Sequence, residues 1–365
     1  MRDVIVVGAG PAGTAAAKRC AEYGLNTLIL EKRRLPRDKV CGGMVMGPVA
    51  HTLIKQEFGD IPRTVLSKPS SLSGYIFHVP GIGSQKLDNF TSLAWRKDFD
   101  YWMNQKAQAK GAEIWPGARV IGLRQQEPGF SVEIEKDKER QELEARFVIG
   151  ADGINSLVRR FLFPELKISY RQGYQVGYRG ELDLDKKYYH WFYPIEYSPS
   201  FSSVHQKDGF IIINVNGELG QVKQFMDWVK NFLAENYRFD ISQKPIWRDG
   251  GVGLRLYKEL ISHTFLPAKG NALLVGDAAS FPLPVSGEGI GTAIQSGLLA
   301  ADSIMRAIES GRQADKIYLT EVEGIISVVK ELYPWLERIN EATKRGGDSL
   351  PEILREAYHS TLRMF

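Results

Sequence analysis

Cysteine is nearly absent from this chain, with only Cys20 and Cys41 among 365 residues. Two thiols cannot build a disulfide framework, and they are too few for a cage around zinc or an iron–sulfur cluster. The six histidines stand singly, with no His-x-x-x-His or His-x-x-Glu-His spacing, so no metal centre is expected. No stretch approaches the roughly 20 apolar residues that a membrane-spanning helix requires. The opening "MRDVIVVGAG" reads as a strand entering a glycine turn, not as a signal peptide. Excess charge is also scarce: 47 Lys and Arg against 43 Asp and Glu leave a net charge of +4. No basic run with interleaved aromatics occurs, so nucleic acid is not an expected partner. These absences point to a reducing, cytoplasmic setting, with peripheral contact with a membrane left open by the charge balance.

With 43% hydrophobic and 25% charged residues, the chain has ample material for two intimate domains. The clearest signal is at the start. Val4 to Val7 form an apolar run suited to a buried parallel strand, which ends in Gly8-Ala9-Gly10-Pro11-Ala12-Gly13 ahead of a helix. In such a turn the first glycine permits the bend, the second lets backbone approach a pyrophosphate, and the third lets helix pack on strand. The phosphates then meet free N–H groups at a helix N-terminus. A second strand, "NTLILEK", closes with Glu31, placed to accept hydrogen bonds from ribose hydroxyls. This unit is expected to bind an adenine dinucleotide, and by itself it leaves FAD and NAD open.

Two later segments repeat the theme. "ARFVIGADGINSLVRR" runs a strand into Asp152-Gly153, and "NALLVGDAASFPLPVSGEGIGTAIQSG" runs one into Gly276-Asp277, a proline-rich turn and a long helix after Gly287-Glu288-Gly289. Asp beside Gly is most often a cap or turn residue. Three glycine-punctuated strand ends in one chain make that bland reading poor.

Together these motifs resemble those of the large flavoprotein group built like the aromatic hydroxylases. That resemblance implies FAD, with Asp277 on the ribityl chain and the turn Gly287–Ile290 at the N1/O2 edge of the flavin. It also implies that Arg96, at the head of a helix, contacts the ribityl–phosphate region, and that Lys32 and Val120 belong to the cofactor site. Within the group, "KVCGGMV", "WRKDFDYW", "PLPVSGEGIGTAI" and "YHWFYP" are similar to passages of geranylgeranyl reductase-like proteins. The match extends over roughly the first 310 residues by motif. By that likeness Cys41, Gly42 and Gly43 lie against the isoalloxazine ring, where glycines let backbone come close to a flat ligand. Cys20, among small residues of the first helix, reads as core. The chain departs from the family pattern at Tyr193, where Phe is usual, and at Ser203-Val204-His205, which replaces a Gly-x-Gly.

The implied fold is α/β. A discontinuous Rossmann-type FAD domain (1–72, 92–165, 265–312) is interleaved with a mainly antiparallel substrate sheet (73–91, 166–264), and helices follow (313–365). Alternation puts Tyr189, Trp191 and Tyr193 on one face of a strand, with His190 and Phe192 on the other. Trp191, Tyr193 and Pro282 are candidate substrate contacts, and Cys41, Tyr189 and Tyr193 candidate catalytic residues. The C-terminal run "GIISVVKELYPWLERI" reads as a helix that packs on the domain or turns an apolar face to a membrane or partner.

The expected activity is FAD-dependent reduction of carbon–carbon double bonds in a polyprenyl-like substrate. Electrons would come from NAD(P)H or a reduced carrier protein, since no second dinucleotide fingerprint appears. The oligomeric state is left unassigned. The rivals are an aromatic hydroxylase of the same fold and a non-enzymatic FAD-binding redox sensor or carrier. A halogenase fits less well, because the Trp-x-Trp-x-Ile-Pro passage of those enzymes is missing. "PVSGEG" also lacks the glycine two residues before Ser286 that a hydrolase elbow requires.

Overall fold

The apolar run at the start is buried because β1 (Arg2–Val7) has parallel neighbours on both sides. The computed structural model describes residues 1–364 other than Leu219, with the side chains of Leu254 and Arg255 left aside. After β1 come α1 (Pro11–Glu22), β2 (Thr27–Glu31), the short β3 (Met44–Val45) and α2 (Gly47–Phe58). The hairpin β4 (Leu66–Val79) and β5 (Gly83–Ala94) leads to α3 (Arg96–Ala109) and β6 (Glu113–Pro116). A meander β7 (Arg119–Gln126), β8 (Gly129–Lys136), β9 (Glu139–Gly150) ends at α4 (Leu157–Leu162). Then come β10 (Ser169–Arg179), β11 (Tyr188–Phe192), β12 (Phe201–Lys207), β13 (Phe210–Gly217), α5 (Val222–Tyr237) and β14 (Trp247–Arg255). The remainder is α6 (Tyr257–Ile261), β15 (Ala268–Lys269), β16 (Ala272–Leu274), α7 (Ile290–Ser310), α8 (Ala314–Glu321), α9 (Glu323–Lys344) and α10 (Leu350–Met364).

These strands form two eight-stranded sheets. The first runs β15-β16-β9-β1-β2-β6, with β7 and β8 continuing from β9. Its pairs β16–β9, β9–β1, β1–β2 and β2–β6 are parallel, which directs β1, β9 and β16 toward one common edge. Ligands of doubly wound folds gather at such carboxyl ends. The second sheet runs β14-β10-β13-β12-β11-β4-β5-β3 and is antiparallel apart from β11 on β4. This is the α/β arrangement expected from the sequence: a Rossmann-type unit, a mainly antiparallel sheet and terminal helices. No helix among the described residues is long and apolar enough to cross a membrane.

Two contacts fix the geometry around the sheet edge. Pro11 opens α1 at the position where its missing N–H costs nothing. Helix α7 then crosses α1 at backbone distance: a Cβ on Gly297 would stand 2.2 Å from the carbonyl oxygen of Ala12. Cys20 is buried in this first core, as its small neighbours suggested.

The second sheet hides a histidine pair. His190 Nε2 lies 3.0 Å from the carbonyl oxygen of Asp185, so it must donate, leaving Nδ1 as an acceptor for His78 Nε2 at 3.0 Å. His190 is therefore neutral, and burial keeps His78 neutral beside it. Burial, reinforced by the neighbouring ring, pushes His78 down to about 3. Since the folded pKa lies below the unfolded one, the stabilisation is present above about pH 6.5 and is lost as pH falls toward 3. His78→Gln keeps a donor for His190 but does not titrate. Between pH 7 and pH 4.5 the native protein should lose about 2 kcal/mol more stability than this variant in urea unfolding.

Candidate functional site

The first strand end supplies a backbone cradle. Gly8 has φ +108°, and a Cβ there would strike the Ala151 carbonyl oxygen at 2.4 Å. A Cβ on Gly13 would meet the Gly8 oxygen at 2.0 Å. Gly10 differs: its Cβ would meet only Arg37 Nη2, at 3.6 Å. The space over the middle glycine is open, and no side chain caps α1. Asn104 on α3 anchors the turn by donating to the Ala9 oxygen at 3.1 Å and to Thr14 Oγ1 at 2.7 Å. Glu31 is buried and accepts from Ala9 N, Arg33 N and Arg37 Nε. Lys32 is exposed beyond β2, and Val120 is buried in β7; neither lines the cavity described below.

The second strand end is stapled to the third. Asp152 Oδ2 accepts from Leu157 N at 2.6 Å and Val158 N at 3.2 Å, so this carboxylate caps α4, and burial raises its pKa. Its other oxygen is buried with no hydrogen-bond partner among the described residues. Gly153 turns the chain at φ +80°. The fully buried Arg159 donates to the Ile154 oxygen at 2.5 Å and to the Ala278 oxygen at 2.8 Å, joining the Asp-Gly and Gly-Asp segments.

At the third strand end, Asp277 receives Lys39 Nζ at 3.2 Å. Gly276 packs on Ala12: a Cβ there would stand 3.1 Å from that methyl. Gly287 turns at φ +65° into open space, and Gly289 is the residue from which the 21-residue helix α7 departs. Glu288 is buried behind this turn, accepting from Gly291 N at 3.0 Å, and burial pushes its carboxyl up to about 7. Pro282 packs beside Gly289.

Cys41 lies on a loop that the second sheet holds by its carbonyls. Gln175 Nε2 donates to the Cys41 oxygen at 3.2 Å, and Lys207 Nζ donates to the Gly42 oxygen at 2.9 Å. Gly43 has φ +76°, and its Cβ would overlap the Ala94 oxygen at 1.9 Å. Arg96, the first residue of α3, grips Asp100 through Nε at 2.7 Å and Nη2 at 2.9 Å. Burial alone would favour the neutral guanidine, but Asp100 and the neighbouring Cys41 together outweigh it and keep Arg96 charged.

All three strand ends open on one cavity of about 380 Å³. One part of its wall carries Pro11, Lys39, Cys41, Arg96, Asp277, Gly287, Gly289 and Ile290. Another part is largely apolar: Tyr193, Ile195, Phe201, Val285, Leu336, Ile339 and Leu350. Val285 holds φ +68°, a backbone position that a β-branched residue rarely takes. The uncapped N-terminus of α1, the open middle glycine, the glycine turn Gly287–Gly289 ahead of α7 and a flanking Asp277 suit an anionic dinucleotide with a flat ring, so these residues fit FAD.

The aromatic stripe divides. Tyr193 lines the cavity and stacks on Phe201 with ring centroids 5.5 Å apart. Tyr189 and Trp191 do not line it. Tyr189 lies under Gly42 and bonds Ser203 Oγ at 2.9 Å, while Trp191 packs against Tyr358 of α10. Sequence reasoning passed over Asn104, Arg159, Gln175 and Lys207, whose partners are all backbone groups or neighbours distant in the chain. It also passed over α9 as a cavity wall, although the amphipathic period of that helix was visible.

Comparison with known proteins agrees with this geometry. The family profile for FAD dependent oxidoreductases matches residues 3–160. A digeranylgeranylglycerophospholipid reductase of Thermoplasma acidophilum is 30% identical over 381 aligned positions, covering 99% of this chain and 93% of its own. A geranylgeranyl diphosphate reductase of Rhodobacter capsulatus is 27% identical, over 86% of this chain and 77% of its own. In fold, a geranylgeranyl bacteriochlorophyll reductase-like protein of Thermoplasma acidophilum superposes with a TM-score of 0.76 at 22% identity, covering 100% of this chain and 95% of its own. The flavin-dependent brominase Bmp2 also shares the fold, with a TM-score of 0.71 at 17% identity and full coverage of both chains.

Proposed function

The chain belongs to the geranylgeranyl reductase-like family of FAD-dependent oxidoreductases, and from that premise we propose that it reduces carbon–carbon double bonds of a polyprenyl-like lipid. The observation that carries this reading is the continuity of the cavity: the glycine turns and Asp277 share one space with a largely apolar wall from β12, α9 and α10. When bound, FAD supplies the hydride that such a reduction needs.

The chain does the rest. The N-terminal dipole of α7 and the charged Arg96 favour negative charge at the cofactor wall. Leu336, Ile339 and Leu350 hold an apolar chain and exclude water from it. Tyr193, whose residue lines the same space, is the proton donor in this reading, while Tyr189 serves the loop beneath Cys41. Electrons are taken from NAD(P)H or a reduced carrier protein that visits transiently. The lipid is collected by peripheral contact with a membrane.

An anaerobic experiment tests this directly. Photoreduced holoprotein is mixed with polyprenyl lipids, flavin reoxidation is followed, and products are weighed by mass spectrometry. Addition of two hydrogens per reoxidised flavin is the expected result. A flavin that stays reduced until oxygen is admitted sinks the proposal and favours the hydroxylase. Ile339→Trp, which fills the apolar part, should cut kcat/KM for the lipid about tenfold or more while FAD content stays unchanged.

A further inference from the structure

Lys207 poses a problem that the reaction does not answer. It ends β12 with 2% of its surface exposed, and among the described residues its ammonium is bonded to carbonyl oxygens and to no carboxylate. Its ammonium donates to two carbonyl oxygens, Gly42 at 2.9 Å and Ala94 at 3.0 Å. The face of Trp95 covers it at 4.1 Å from the ring centroid. Asp208 is its sequence neighbour, but that carboxylate is occupied by Trp95 Nε1 at 2.7 Å and Lys68 N at 2.9 Å. The other ionisable groups around it are the Cys41 thiol and the His205 ring.

Burying an ammonium without a counter-ion is costly, and a methionine would fill the same space without that cost. The two carbonyls explain its retention. Gly42 belongs to the loop that presents Cys41, and Ala94 lies two residues before Arg96; both side chains line the cavity. A single cation therefore ties the two halves of that wall together. Resting on the reading that this wall faces the flavin, we propose that Lys207 is a positioning residue that fixes Cys41 against Arg96 and charges the cofactor wall from behind.

Burial pulls the Lys207 ammonium down to about 8, so the wall should lose this charge within an accessible range of pH. A positive charge beside FAD favours its reduced, more negative form. The test is the two-electron midpoint potential of the holoprotein from pH 6.5 to 9.5, in the native chain, Lys207→Met and Lys207→Gln. Gln keeps one donor for the loop and guards against a Met variant that fails to fold. Below pH 8 both variants should favour the reduced form about tenfold less, which corresponds to about 30 mV. Lys207→Gln should lower kcat more than it alters KM. As pH rises through 8 the gap between the native potential and that of the variants should narrow, whatever slope the flavin's own proton uptake gives all three.

A gap between native and variants that is absent below pH 8 overturns the proposal. So does a folded, flavin-loaded variant that keeps the native potential, for Lys207 is then packing alone. The potential is read with no lipid present. A native-to-variant gap in a protein that reduces no polyprenyl substrate therefore sinks the proposed function and leaves Lys207 in place.

Discussion

Gly13→Ala should leave the protein without FAD and destabilise it by about 3 kcal/mol. The added methyl would sit 2.0 Å from the Gly8 oxygen and about as close as contact allows, 3.0 Å and 3.1 Å, to Ala151 Cβ and Val6 Cγ1. None of these is the far end of a flexible side chain, so α1 must move off β1. Gly10→Ala should behave in the opposite way. Its methyl meets only Arg37 Nη2 at 3.6 Å, and its φ of −81° suits alanine, so the melting temperature should hardly change. Affinity for FAD should nevertheless fall, because the methyl stands where a pyrophosphate would approach the turn. Hydrogen bonds to a charged group contribute about 1.5–3 kcal/mol, so losing one or two corresponds to about 100-fold. Flavin fluorescence titration beside thermal melting separates the two cases. Equal loss of stability in both variants would show that the middle glycine is structural too.

The second large effect concerns Arg96. Arg96→Met removes a two-pronged partner from Asp100, which is 1% exposed. Arg37 Nη1 remains at 3.1 Å, so the carboxylate keeps one cation. Breaking a buried pair from one side costs about 3–5 kcal/mol, and the surviving contact places this case near 3. Removing both partners tests what the pair is for. Arg96→Met with Asp100→Leu should recover most of the stability in urea unfolding, since no unpaired charge is left buried. It should not recover FAD binding, because the cavity wall still lacks its cation. Recovery of both properties would reduce Arg96 to a structural residue.

How much of this was legible in the chain depends on the range of the interaction. The glycine turns could be read because each is local: a buried strand, a turn and a helix follow in order. The α/β class came from strand–helix alternation together with the flavoprotein likeness of the motifs. Alternation put Tyr189, Trp191 and Tyr193 on one face, and Tyr189 and Trp191 do share a core cluster while Phe192 packs in another. Periodicity identifies a face but not its cover. That cover is α10, whose Tyr358 meets Trp191 at a centroid distance of 5.7 Å, and it lies more than 150 residues further along. Asn104, Gln175 and Lys207 were illegible for a related reason. Each is an ordinary polar residue in sequence, and its meaning lies in a carbonyl that only the fold brings near.

The late position of α10 has a consequence for how the molecule comes into being. Tyr75, Phe77, Tyr189 and Trp191 form an apolar face on β4 and β11 that is closed by Leu354, Tyr358 and Leu362. A ribosome completes both strands well before it reaches residue 350, so the nascent chain carries this face bare for the time needed to make those residues. Folding of the second sheet is therefore finished only by the helix made last among the described elements. The Gly346-Gly347 turn, at φ +96° and +82°, is where that helix swings into place. A nonsense codon just before this turn would leave that apolar face of β4 and β11 permanently bare.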